Sequence, residues 1–108
     1  MDGIIYAVGG ADSSPLRDME CYDPQTDSWR TVAKMKVPRS SVAVATMGGQ
    51  LYACGGYDGM RSVKSVEQYD PNLNEWKHIR GRVLFKKMDL FRFFFVCVFV
   101  ILLNFFNK

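Results

Sequence analysis

Apolar positions along residues 1–79 come in short runs, each cut off by glycine, proline or a polar cluster. Residues 4–8 are continuously apolar, the pattern of a strand covered on both faces, and the run stops at Gly9 and Gly10. Residues 19–22 and 28–32 read as two further strands. The turn between them, residues 23–27, is set by a proline that fixes φ and by aspartates whose side chains bond nearby amides. A connector at residues 33–39, broken by Pro38, leads to residues 40–46, a strand of small and β-branched residues. Gly48 and Gly49 predict a hairpin into residues 50–56. Residues 63–69, a turn at 70–74 and residues 75–79 complete the strands. Polar loops lie at residues 11–18 and 57–62.

These runs repeat. Ile5, Tyr6, Ala7, Gly9 and Gly10 return 46 residues later as Leu51, Tyr52, Ala53, Gly55 and Gly56. Glu20, Tyr22, Asp23, Pro24 and Trp29 return 47 residues later as Glu67, Tyr69, Asp70, Pro71 and Trp76. The one-residue difference falls in the loop after the glycines, where insertions cost least. A period of about 45–50 residues built from strands predicts a β-propeller array.

A glycine pair after an apolar strand, then Tyr-Asp-Pro, then Trp at fixed spacing, resembles the Kelch repeat. The landmarks are Gly9, Gly10, Tyr22 and Trp29 in one unit and Arg39, Gly55, Gly56, Tyr69 and Trp76 in the next. The fold expected is all-β, a partial Kelch-type β-propeller. It comprises one complete four-stranded blade, three strands of another, and a non-homologous hydrophobic C-terminal tail. The domains read as an incomplete repeat at 1–38, a complete repeat at 39–80 and a tail at 81–108. Propellers close with about 4–8 blades, and the resemblance implies about six. Fewer than two blades leave an open edge and a bare face, so the segment alone is expected to self-associate or unfold in part.

The tail breaks the pattern. By the period, Met35 and Arg39 should return at positions 82 and 86, which hold Arg82 and Lys86. All eight phenylalanines lie at or beyond Phe85. Residues 93–103 are unbroken apolar sequence, and the stretch from Leu90 to Phe106 contains Arg92 and Asn104. A membrane helix wants about 20 apolar residues, so a tail anchor is one reading. Sequence added where the repeat was cut is the reading its composition favours. Residues 93–99, apolar and uncharged with no proline, are also an aggregation hazard in water.

Charge and cysteines narrow the classes. The net charge of +3 is too mild for nucleic acid, and basic residues do not cluster on one element. Of three cysteines, Cys21 aligns with Gln68 and Cys54 with Val8, so the repeats share no disulfide framework. Thiols in a reducing compartment, and a cytoplasmic protein, are expected. Met1-Asp2 is followed by no basic or long apolar run, so a secretory signal is not expected at this N-terminus.

No catalytic, metal or cofactor set is legible. His78 is the single histidine and reads as a surface residue, whereas metal and triad chemistry need several partners. Copper oxidases with Kelch-type propellers need several His and Tyr ligands. The glycine pairs lack the spacing of phosphate loops. The repeated glycines and aromatics read as packing residues, and Arg39 as a tie between the connector and nearby backbone or acidic groups.

Candidate binding residues are therefore the unshared ones in the loops: Ser13, Ser14, Arg17, Tyr57, Asp58 and Arg61. Rigid scaffolds carry binding on such loops, and Arg and Tyr are favoured anchors. The expected function is a non-enzymatic protein-interaction module. The resemblance implies the substrate-recognition part of an adaptor for a cullin-type ubiquitin ligase, although the BTB and BACK domains of such adaptors are not in this sequence. Alternatives are an actin-associated scaffold and a tail-anchored membrane protein.

Overall fold

The computed structural model describes residues 1–80 of the 108. Expectations about the tail lie outside those residues. Among the described residues, seven strands form two antiparallel sheets. The first, in the order β1-β2-β3, contains β1 (Ile5–Val8), β2 (Met19–Asp23) and β3 (Ser28–Val32). The second, in the order β4-β5-β6-β7, contains β4 (Ala43–Met47), β5 (Gln50–Cys54), β6 (Val66–Asp70) and β7 (Glu75–Ile79). The architecture is all-β, as the sequence predicts.

The registers of the two sheets are equivalent. Ile5 faces Tyr22 and Tyr22 faces Trp29 in the first. Leu51 faces Tyr69 and Tyr69 faces Trp76 in the second. The tyrosine and tryptophan rings lie 5.2 Å apart in both pairs, an aromatic cross-strand contact that reinforces each ladder. Turn chemistry repeats too. Asp23 accepts the amide of Gln25 at 2.9 Å, and Asp70 accepts that of Asn72 at 2.9 Å. Gly48 and Gly49 both have positive φ (59° and 75°), the geometry that matches a two-residue turn to strand twist.

Because side chains alternate along a strand, each sheet has two faces. Tyr6, Val8, Met19 and Val32 share one face of the first sheet. They pack on Leu51, Ala53, Tyr69 and Trp76 of the second, with Val42 and Met35 filling the junction. Met19, Leu51 and Ala53 are at most 1% exposed. The Tyr6 and Tyr69 rings pack edge-to-face with centroids 6.2 Å apart. Burial raises the phenol pKa of Tyr69 and of Tyr6 above the ordinary tyrosine value. The stacking is head-to-tail: opposite faces of two equivalent sheets meet.

Several expectations are corrected. β1 is not covered on both faces, because Ile5 is 55% exposed and Ala7 is exposed. Trp29, expected to be packed between units, is 57% exposed, because its face of the first sheet meets no other sheet among the described residues. The strand expected at 40–46 starts at Ala43, since Ser41 takes φ 52° and Ser40 pairs with Tyr57 instead. The strand expected at 63–69 starts at Val66. The residues before it are tied to the glycine pair, Val63 N to Gly56 O and Gly55 N to Ser65 O.

Candidate functional site: the loop-bearing end of the sheets

Within each sheet the long connection leaves one end and the tight turns occupy the other. Residues 11–18 link β1 to β2, and residues 57–65 link β5 to β6. The structure brings these loops side by side: a Cβ added to Gly59 would stand 3.6 Å from Cδ of Pro15.

Their backbones are fixed from below. Tyr57 and Ser40 exchange both amide hydrogen bonds at 2.9 Å, while the Tyr57 ring stays 45% exposed. Leu16 N donates to Gly10 O, Arg39 N donates to Leu16 O, and Met35 N donates to Arg17 O. The Arg17 side chain is left exposed. Each loop is also shaped by an aspartate. Asp58 Oδ1 accepts the amides of Met60 and Arg61 at 2.8 and 2.9 Å. Those two amides, Arg61's first, hold the Asp58 carboxyl below the usual carboxylate range. Asp12 Oδ1 accepts the amide of Ser14 at 3.0 Å, and its pKa is lowered for the same reason.

Ser13, Ser14, Arg17, Tyr57 and Arg61 are exposed and Asp58 is half-buried. Among the described residues, no hydrogen bond or ion pair joins the side chains of Ser13, Ser14 and Arg17 to those of Tyr57, Asp58 and Arg61. They form a surface, not a preassembled cluster. Sequence reasoning missed Met60, 83% exposed beside them. The Asp58-Gly59 turn was the available signal. The shallow depression bordered by Asp2, Ile4, Asp23 and Gln25 lies at the opposite end of the first sheet. His78 is exposed on β7.

Beneath the loops lies a buried junction. Arg39 and Glu67 are both 0% exposed. Arg39 Nε and Nη2 donate to Glu67 Oε2 at 3.0 and 2.9 Å. Arg39 Nη1 donates to the carbonyls of Gly55 and Ser65, and Nη2 also reaches Ser65 Oγ, at 2.8–3.0 Å. All five guanidinium donors are used, the condition for tolerating a buried charge. Glu67 also accepts the connector amides of Lys36 and Val37. The sequence carried the signal for Glu67, since Glu20 recurs there, but only Arg39 was read as a tie.

The connector is held at its other end as well. Trp76 Nε1 donates to Ala33 O at 2.9 Å, and Ala33 N donates to Asn74 Oδ1 at 3.0 Å. The glycine pairs complete the join. A Cβ on Gly9 would lie 2.4 Å from Arg39 O, and one on Gly56 would lie 2.6 Å from Ser40 O. Both glycines have positive φ, so backbone conformation and close approach each demand glycine.

A three-stranded and a four-stranded sheet of equivalent register, stacked head-to-tail and locked by a shared connector, are consecutive blades of a β-propeller. The comparisons with known proteins agree. The family model for the Kelch motif matches residues 1–36 and 38–81. Human Kelch-like protein 4 is 54% identical over 59 residues, which cover 55% of this chain and 8% of that protein. Kelch-like protein 23 of Pongo abelii is 35% identical over 79 residues, 71% of this chain and 13% of that protein. Kelch-like ECH-associated protein 1B of Danio rerio is 42% identical over 71 residues, 61% of this chain and 12% of that protein. The chain belongs to the Kelch repeat family, and it spans 8–13% of the length of these curated relatives.

Proposed function

We propose that this segment supplies part of the protein-binding rim of a Kelch-type propeller, through the loops at residues 11–18 and 57–65. The observation that carries this reading is the abutment of two exposed, non-repeated loops on a rigid base. Residues shared by the repeats build the blades, so partner choice falls to those that are not shared. Arg17, Arg61, Tyr57 and Met60 give that surface two exposed guanidinium groups and exposed apolar area, beside the carboxylates of Asp12, Asp18 and Asp58. An acidic or Ser/Thr-rich segment of a partner protein matches it.

The membership of the family supports a finer reading: the propeller selects substrates for a cullin-type ubiquitin ligase, as adaptors of this kind do. The reading is of a binding module rather than a catalyst. Among the described residues, no three His, Cys, Asp or Glu side chains gather to hold a metal, and no helix among them is long and apolar enough to cross a membrane.

The test uses a complete propeller containing this segment. Arg17→Ala or Arg61→Ala should weaken partner binding by about 1–3 kcal/mol where that arginine is an anchor, with Tm nearly unchanged. Binding that survives simultaneous replacement of Arg17, Tyr57 and Arg61 would move the site off this rim.

A further inference from the structure

Ser14 is the only serine or threonine in the 108 residues that is followed by proline, and Arg17 stands three positions after it. Both are exposed, at and just beyond the tip of the β1–β2 loop. We propose that Ser14 is a phosphorylation site for a protein kinase that requires proline after its acceptor, with Arg17 as a second point of recognition.

The local chemistry selects that class of kinase. Pro15 has no amide hydrogen. A kinase site that must receive a hydrogen bond from the residue after the acceptor would reject this sequence, and one with an apolar pocket there would accept it. Arg17 offers a fixed positive charge beyond that pocket. The structure leaves the acceptor available. Ser14 contributes nothing to the apolar core. Its amide bonds only to Asp12 Oδ1 at 3.0 Å, and its carbonyl accepts the Asp12 amide at 3.2 Å. Both contacts are at the surface, where water replaces them when the tip enters a cleft. The residues that must stay put are held elsewhere: Leu16 N to Gly10 O, and Leu16 O to Arg39 N. The tip can therefore open without disturbing the blade once Pro15, half-buried beside Gly59, leaves the neighbouring loop.

The reaction balances with ATP as donor. Ser14 Oγ forms a bond to the γ-phosphorus, the bond from that phosphorus to the bridging oxygen of ADP breaks, and the hydroxyl proton passes to the kinase's aspartate base. The product carries about −1.5 to −2 charge at neutral pH. It places that charge in a loop bearing Arg17, against the loop bearing Arg61, and next to the carboxylate of Asp12. The assignment stands independently of the partner proposed for the rim.

The experiment incubates the full chain with Mg·ATP and either a proline-directed kinase or one that selects arginine before the acceptor. Intact mass and fragment mapping locate the label. The expected result is a single phosphate on Ser14 from the proline-directed enzyme only. Pro15→Ala should lower the rate by roughly tenfold or more, Arg17→Ala by a few-fold, and Ser13→Ala should leave it unchanged. Label on Ser13 or on another residue would overturn the assignment. So would a folded chain that resists labelling under conditions in which a free peptide of residues 9–20 is labelled at Ser14.

Discussion

The two sheets are nearly the same object in different surroundings. Trp76 is 4% exposed and its equivalent Trp29 is 57% exposed. Leu51 is 1% exposed and its equivalent Ile5 is 55% exposed. Glu67 is sealed under Arg39, whereas Glu20 lies in water. Sequence and register match, so the difference comes from what covers the face. The second sheet is covered by the first sheet and its connector. The equivalent face of the first has no such cover among the described residues. A Kelch landmark is thus a docking surface before it is a core residue, and its energetic weight depends on its neighbour.

The largest contrast should come from the buried ion pair. Arg39→Ala strands the Glu67 carboxylate and uncaps the carbonyls of Gly55 and Ser65. Breaking one side of such a pair costs about 3–5 kcal/mol, read as lost resistance of the segment to urea. Glu20→Ala should change stability by no more than about 0.5 kcal/mol. Equal effects would mean that the two carboxylates share an environment, against the structure.

The tryptophans give the next contrast. Trp76→Ala removes a packed ring and the donor to Ala33 O, at about 3–5 kcal/mol. Trp29→Ala removes chiefly the contact with Tyr22, worth no more than about 1 kcal/mol. The comparison sharpens in a longer chain with a repeat stacked on that face, where the Trp29 cost should rise toward that of Trp76. If Trp29→Ala stays silent there, the face is not a blade-to-blade surface.

How far the sequence could be read follows from the same distinction. Strand order, turns and the two-unit division were legible because they depend on local periodicity and turn chemistry, which each repeat carries in full. The start of β4 was not. Ser41 looks like a strand residue, and its positive φ arises from the pairing of Ser40 with Tyr57, which lies 17 positions away. Nor was the exposure of Trp29 legible, because the sequence shows the residue and not the unit beside it. At the rim, Arg17, Tyr57 and Arg61 stood out by type and by lack of repetition. The abutment of their loops at Pro15 and Gly59 was a matter of stacking and had no sequence signal.

The glycine pairs carry a smaller contrast. A Cβ on Gly56 would strike Ser40 O at 2.6 Å, whereas one on Gly10 would meet nothing within 4 Å. Both have φ near 90°, so alanine at either position bears the backbone penalty of about 1–2 kcal/mol. The steric clash adds only at Gly56. Gly56→Ala should therefore be the more destabilising in thermal melts by about 1 kcal/mol or more. A reversed order would place the start of the second repeat farther from its glycines than the structure does.

The smallest effect is confined to the rim, where the two loops behave alike while the sheets do not. Asp12 and Asp58 both have carboxyl pKa values lowered by backbone amides, Ser14's first for Asp12 and Arg61's first for Asp58. A lowered pKa means that the ionised form is favoured in the folded loop. That contribution is in place above the pKa of the unfolded carboxyl, and it is lost as pH falls through the lowered folded value. Acidification should therefore loosen residues 12–14 and 58–61 before it disturbs the backbone ladder between β5 and β6. Amide exchange at Ser14, Met60 and Arg61, compared with Leu51 and Tyr69, reads this directly. Asp58→Asn should weaken protection at Met60 and Arg61 at neutral pH and remove its dependence on acid. Protection at those two amides that ignored both the substitution and the pH would show that the loop is held by its contact with Pro15 rather than by its own aspartate.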